Sequence, residues 1–147
     1  MYSDPVGRRI KIINNLMKRS MDKFFGQRPD RATLMHTWIL GFLQNRQDAG
    51  KDTFQKDIET EFSINRSTTS EMLKLMCKNG MISRVPVDYD ARLKKIVLTE
   101  KSLKFNQELS RKMNELDKIL IKDLSESEVE TFLKLCDKLI DNLNESL

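Results

Sequence analysis

The middle third of the chain changes from apolar residues at helical spacing to two runs of β-branched residues, which limits the folds open to it. Ile58 and Phe62 lie four residues apart and predict a short helix whose N-cap is Thr53. Asn65 is the predicted N-cap of a second helix, Arg66–Lys78. Because only a three- or four-residue turn separates the two helices, this region is predicted to be a helix-turn-helix.

The second helix has one apolar face and one face rich in hydroxyls and cations. Thr69, Leu73 and Met76 form the apolar stripe, and Asn79 with Gly80 is predicted to end the helix. Small hydroxyls and cations at a helix N-terminus favour contacts with phosphates and base edges. The alternative is an ordinary solvated surface helix. The residues expected on the outer face are Arg66, Ser67, Thr68, Ser70, Glu71 and Lys74.

Two runs of β-branched residues follow and predict a β-ribbon. The runs are Ile82–Val87 and Lys94–Leu98, with a polar loop at residues 88–93 between them. In that loop the carboxylate of Asp90 can accept a charge-assisted hydrogen bond from Arg92 and so orient it. A projecting arginine suits the narrow, electronegative minor groove of DNA.

The motifs of this region resemble those of the MarR family of winged helix-turn-helix transcription regulators. The wing signature is carried by Arg84, Asp90, Arg92, Ile96, Leu98 and Thr99, and the recognition-helix pattern by residues 66–70, Gly80 and Ile82. The resemblance implies a mainly α fold with a small β-hairpin wing, in a homodimeric DNA-binding regulator. Such regulators are commonly repressors, which a small molecule often releases from DNA. Small aromatic compounds are the effectors to test.

The sequence departs from the family pattern at three positions of the recognition helix. Glu71 stands where many members carry a second arginine, and Leu75 and Cys77 replace residues that are usually polar. A glutamate can accept from cytosine N4 but repels phosphate, so these departures affect the target sequence rather than the fold. The predicted DNA contacts are Gln55, Lys56, Arg66, Ser67, Thr68, Ser70, Glu71, Lys74, Arg84, Asp90, Arg92 and Lys94.

Composition is that of a single helical domain of 147 residues, with 39% hydrophobic and 33% charged residues and a net charge of +4. Residues 1–33 hold eight Lys/Arg and three Asp/Glu, whereas residues 102–147 hold seven and ten. The basic end is expected to face a polyanion, although ordinary surface charge is the alternative. No apolar run approaches the roughly 20 residues needed to cross a bilayer, and the N-terminus lacks a signal peptide's apolar region. We therefore expect a cytoplasmic protein with no membrane partner.

The segments on either side are predicted to be helical. The first helix starts at Pro5 and ends at residues 26–29, where Gly26 and Pro29 stand, and the second runs from Leu34 to about residue 44 with Thr33 as its cap. After the ribbon, Thr99 is predicted to cap a long helix that runs to about Asp123. A capping box of Ser125 and Glu128 opens the last helix.

The outer helices carry more apolar surface than a lone winged domain can cover. Residues 1–33 and 100–147 are therefore predicted to form a dimerisation region, and residues 34–99 the DNA-binding region, within one compact domain. An intrachain three-helix bundle is the alternative. The two-fold dimer predicts a pseudo-palindromic operator.

No catalytic, metal or cofactor site is predicted. The single histidine, His36, has no partner motif for hydrolysis, and one histidine with two distant cysteines is no zinc cluster. Two alternatives to a plain packing role stay open for these residues. One is a redox sensor at Cys77 or Cys136. The other is an effector pocket lined by Met35, His36 and Trp38. The main functional alternative is a winged-helix protein–protein interaction module without DNA binding.

Overall fold

The computed structural model describes residues 4–26 and 33–147, which contain six helices and one two-stranded sheet. These residues form two compact units; the first ends at Met113 and the second runs from Asn114 to Leu147. No helix among the described residues is both long and apolar enough to span a membrane. The elements are α1 (Val6–Phe25), α2 (Leu34–Asp48), α3 (Gln55–Glu61), α4 (Arg66–Lys78), β1 (Ile82–Val87), β2 (Asp90–Leu98), α5 (Glu100–Ile121) and α6 (Glu126–Ser146).

The helix-turn-helix comprises α3 and α4, and α4 has the predicted bounds. The side chain of Asn65 accepts a hydrogen bond from the backbone N–H of Thr68 at 2.8 Å, as an N-cap should. Beyond the other end, Gly80 has a φ of 71°, a left-handed conformation that glycine adopts without steric cost. Thr53, however, is not the N-cap of α3. The N-cap is instead Phe54, and the carboxylate of Asp57 accepts a hydrogen bond from the backbone N–H of Phe54 at 2.8 Å.

The β-ribbon is an antiparallel hairpin whose turn is shorter than the sequence indicated. β2 begins at Asp90 instead of Lys94, so that only Asp88 and Tyr89 form the turn. Strand pairing therefore extends to the tip, with a register irregularity beside Pro86. At the base of the hairpin, Ile82 pairs with Leu98.

The core of the first unit surrounds α2, which contributes Ile39, Leu40 and Leu43 to it. This helix runs four residues further than predicted, to Asp48. Because fully burying one such side chain stabilises the fold by about 1.5–3 kcal/mol, the cluster is the main stabilising feature of the unit. Its buried members are Ile39, Leu40, Leu43, Ile58, Leu73, Met76, Met81, Ile82, Ile96, Leu98 and Leu109.

The first and last helices expose much apolar surface. In α1, Gly26 ends the helix as predicted, whereas Pro29 lies outside the described residues. In α6, the predicted capping box of Ser125 and Glu128 is present, with hydrogen bonds of 3.1 and 2.8 Å. No residue of α6, all of which is described, is buried. The exposed apolar side chains of these two helices are Val6, Ile10, Ile12, Ile13 and Leu16 in α1 and Phe132, Leu133, Leu135, Leu139, Ile140 and Leu143 in α6.

Candidate nucleic-acid interface

The outer face of α4 presents the hydroxyl and cationic side chains that the sequence predicted. Thr69 is buried and donates its hydroxyl to the backbone oxygen of Asn65 at 2.8 Å, so this hydroxyl is occupied within the helix. The neighbouring side chains remain available for hydrogen bonds to phosphates or base edges. Those that are exposed are Arg66, Ser67, Thr68, Glu71 and Lys74, while Ser70 is half-buried.

Gln55 connects three of the elements that carry predicted contacts. Its Nε2 donates to the backbone oxygen of Arg66 at 3.4 Å, and its Oε1 accepts from Nη2 of Arg84 at 3.4 Å. Gln55 therefore links the start of α3 to the start of α4 and to β1. Lys56, the next residue of α3, is exposed.

The wing tip presents a guanidinium group held by a carboxylate. Nε and Nη2 of Arg92 each donate to Asp90 at 3.2 Å, and the backbone N–H of Arg92 donates to Oδ1 of Asp90 at 2.9 Å. These hydrogen bonds, first from the side chain and then from the backbone, hold the pKa of Asp90 below its ordinary value of 3.8. The carboxylate is therefore ionised at neutral pH and orients a side chain that is 89% exposed. Lys94, on the same strand, is also exposed.

A second cluster at the wing was not predicted from the sequence. Asp52, in the connection between α2 and α3, accepts hydrogen bonds from Lys95 Nζ at 3.2 Å and from the hydroxyl of Tyr89 at 3.3 Å. Desolvation and then the nearby Asp52 carboxylate raise the pKa of Tyr89 above its ordinary value of 10.0. The partners are 43 and 37 residues from Asp52 in the chain, so no local pattern signals the cluster.

The residues considered for other chemistry all lie in helices, and some of them also pack against the core. His36 is buried in the cap of α2, where its Nδ1 accepts from the backbone N–H of Thr33 at 3.3 Å. Cys77 and Cys136 are free and half-buried, and Cys77 packs against the core. Among residues 4–26 and 33–147, no group of three or more His, Cys, Asp or Glu side chains is arranged to hold a metal ion. Met35 packs against the core, and Trp38 is half-buried.

Comparison with known proteins relates this geometry to one family. Residues 33–93 match the model of the MarR family, and the matched segment contains α2, the helix-turn-helix and the wing tip. No curated protein sequence matches the chain.

Three solved structures share the fold over almost the whole chain. The S. aureus MepR–DNA complex is 24% identical, with 95% of this chain and 96% of that chain covered and a TM-score of 0.82. The transcription regulator MarR from Oenococcus oeni PSU-1 is 27% identical, with coverage of 93% and 99% and a TM-score of 0.77. The PcaV transcriptional regulator from Streptomyces coelicolor, in complex with its natural ligand, is 16% identical, with coverage of 96% and 98% and a TM-score of 0.77.

The match in residues 33–93 and the shared fold agree with the exposed outer face of α4 and the arginine-tipped wing. Over those residues the chain matches the MarR family, a family of DNA-binding transcription regulators and not of enzymes, and nearly its whole length has the fold of such regulators.

Proposed function

We propose that this chain is a sequence-specific, double-stranded DNA-binding transcription regulator that acts as a homodimer. In this proposal α4 enters the major groove and Arg92 enters the flanking minor groove. The observation that carries the proposal is the wing tip, where Asp90 orients a guanidinium that is otherwise exposed to solvent. A fixed guanidinium loses little side-chain entropy when it binds, and a narrow minor groove attracts it electrostatically. A cytoplasmic location is part of this proposal.

Ten of the twelve predicted contacts divide into two groups by what they can recognise, and the other two, Asp90 and Arg92, form the wing tip. Side chains on the exposed face of α4 are proposed to contact base edges and nearby phosphates. Gln55, Lys56, Arg84 and Lys94 are proposed to contact the backbone and to position the protein. The contact between Gln55 and Arg84 supports this grouping, because it places one residue of α3 and one of β1 on a shared surface.

Homodimerisation is proposed because of the apolar side chains exposed on α1 and, separately, on α6. In α6 they repeat at helical spacing, and the side chains of Ile140 and Leu143 are 50% and 66% exposed. Soluble monomers rarely leave a contiguous apolar stripe of this length in water. A second copy of the chain covers such a stripe in a two-fold contact, and the resulting symmetry requires a pseudo-palindromic operator.

Repression with release by a small aromatic effector is the finer part of the proposal. A structure of the same fold, PcaV, was determined with its natural ligand, which supports ligand control in proteins built this way. We name no effector-binding residues. The corresponding test adds a panel of small phenolic and aromatic compounds to the DNA-binding assay, and a compound that releases DNA in proportion to its own binding would support control by an effector.

Selection from a pool of random duplex DNA tests the proposed function directly. We expect the purified protein to enrich fragments with two inverted half-sites about 10 base pairs apart, or a multiple of that spacing. Affinity for the enriched duplex should fall steeply as salt concentration rises, because phosphate contacts release counterions. Failure to enrich any sequence, together with no salt-dependent affinity at low salt, would instead favour a protein–protein interaction module.

Lys74→Ala is expected to reduce the salt dependence of DNA binding. Lys74 is exposed on the outer face of α4, so its loss should reduce the slope of log affinity against log salt by about one unit per half-site. Lys134→Ala removes the same charge from α6, at a position outside the predicted contacts, and should leave the slope unchanged. An unchanged slope in Lys74→Ala would remove this lysine from the proposed contact surface.

A further inference from the structure

The carboxylate of Asp52 contacts the wing at two separate points. One oxygen accepts from Lys95, in the middle of β2, at 3.2 Å, and the other accepts from the hydroxyl of Tyr89, in the turn at the tip, at 3.3 Å. Asp52 itself belongs to neither strand but to the connection between α2 and α3. A single side chain outside the hairpin therefore holds both its middle and its tip.

The backbone that carries Asp52 is fixed by contacts of its own. Nη2 of Arg46, in the last turn of α2, donates to the backbone oxygen of Asp52 at 2.6 Å, and Nε donates to the Thr53 hydroxyl at 2.8 Å. The same guanidinium lies 5.6 Å from the centroid of the Phe42 ring, a cation–π arrangement. The backbone oxygen of Thr53 also accepts from the N–H of Ile96 at 2.7 Å. Asp52 is thus a fixed support against which the wing can be held.

The outer part of the wing needs such a support. A two-stranded hairpin alone is only marginally stable in water, and the core anchors this one mainly at its base, through Ile82, Ile96 and Leu98. Further out, residues 83–86 and 91–94 are exposed, and Val87, beside the turn, is buried but is not a member of the core cluster. The contact between Arg84 and Gln55 ties β1 to α3, whereas Asp52 holds β2 and the turn.

We propose that Asp52 is a positioning residue for DNA binding, which holds the wing at the angle that lets Arg92 reach the minor groove while α4 occupies the major groove. This inference rests on the DNA-binding function proposed above. If the wing moved freely, binding would have to pay for its ordering, and a support already present in the free protein removes that cost.

For the removal of Asp52, the proposal predicts a change in DNA affinity opposite in sign to the change expected from charge alone. An aspartate near a DNA-binding surface repels phosphate, so by electrostatics alone its removal should leave DNA affinity equal or raise it. A positioning role predicts instead that Asp52→Ala lowers affinity for the duplex selected by the wild-type protein, by about three- to tenfold, as expected for the loss of one or two exposed hydrogen bonds. Asp48→Ala is the matched control, since it removes the same charge four residues earlier and should not weaken binding.

Partial and combined variants separate positioning from a general loss of structure. Tyr89→Phe removes only the hydroxyl contact and should give a smaller loss than Asp52→Ala, and Asp52→Asn, which keeps an acceptor, should restore part of the affinity. If Asp52 acts through the wing arginine, Asp52→Ala should cause no further loss in an Arg92→Ala background. Hydroxyl-radical footprints should lose protection in the flanking minor groove while the central protection persists. Equal losses in both backgrounds, or affinity at least equal to wild type, would overturn the proposal.

A measurement without DNA distinguishes this inference from the proposed function. Amide relaxation and hydrogen exchange at residues 88–92 should show a more mobile wing in Asp52→Ala than in Asp48→Ala, with the same thermal unfolding transition in both. An unchanged wing in Asp52→Ala, in a protein whose wild type binds DNA tightly, would overturn the inference alone. A wild-type protein that ignored every duplex would overturn the proposed function and the inference together.

Discussion

Replacing Ile140 with aspartate is expected to dissociate the proposed homodimer and to abolish tight DNA binding. Ile140 lies near the middle of the apolar stripe of α6 and is 50% exposed in the single chain, so the chain itself should tolerate the change. In a two-fold contact the substitution occurs twice and buries two unpaired carboxylates, each at a cost of several kcal/mol. Since about 1.4 kcal/mol corresponds to a factor of ten, the dimer dissociation constant should rise by at least about a hundredfold.

Sedimentation equilibrium measures this change, and a duplex titration should show a similar loss of affinity because one half-site replaces two. Asn142→Asp is the control: it adds the same charge on the opposite side of α6, two residues further along. Circular dichroism should show that both variants keep their helix content. An Ile140→Asp protein that remained dimeric with wild-type affinity between its subunits would show that the stripe of α6 is not the dimer contact.

Arg92→Ala is expected to weaken DNA binding by about ten- to hundredfold. A hydrogen bond to a charged group contributes about 1.5–3 kcal/mol, and a dimer loses one such arginine in each half-site. Desolvation offsets part of this binding free energy, so the expected loss of affinity is smaller than the sum of the contributions of the two arginines. The side chain of Arg92 is 89% exposed and, in the contacts described above, bonds only to Asp90, so the unfolding transition should stay in place.

A gel-shift titration with the selected duplex measures the effect. Arg92→Lys keeps the charge but loses the planar fork, so it should fall between wild type and Arg92→Ala. Arg19→Ala, at an exposed position of α1, removes the same charge as a control. The loss should be greatest on operators with narrow, A-tract-rich flanks, where an arginine is attracted most strongly. Affinity unchanged by Arg92→Ala would show that the wing tip does not enter the groove.

Local signals were enough to locate several elements of the fold correctly. Asn65 and Gly80 delimit α4 because capping and the left-handed turn depend on atoms only three or four residues away. The same reason explains the capping box of Ser125 and Glu128. The pairing of Asp90 with Arg92 was also predictable, since the two residues are only two positions apart in the chain.

The predictions from the sequence were wrong where a residue distant in the chain bonds to a side chain or extends a strand by pairing with it. Thr53 has the chemistry of a cap, but its hydroxyl accepts from Arg46, seven residues away, and the carboxylate of Asp57 satisfies the backbone of Phe54 instead. The start of β2 at Asp90 follows from pairing with β1, which extends almost to the turn. Composition at the tip is polar and could not distinguish a paired strand from a loop.

The amino-acid sequence by itself determined the order of the elements, the outward face of α4 and the oriented arginine at the wing tip. All of these depend on periodicity, capping and turns, which act over a few residues. Only the tertiary structure decided how the wing is held, because the contacts of Asp52 join residues 43 and 37 positions apart. Such contacts form only after the core around α2 has brought the connection and the hairpin together.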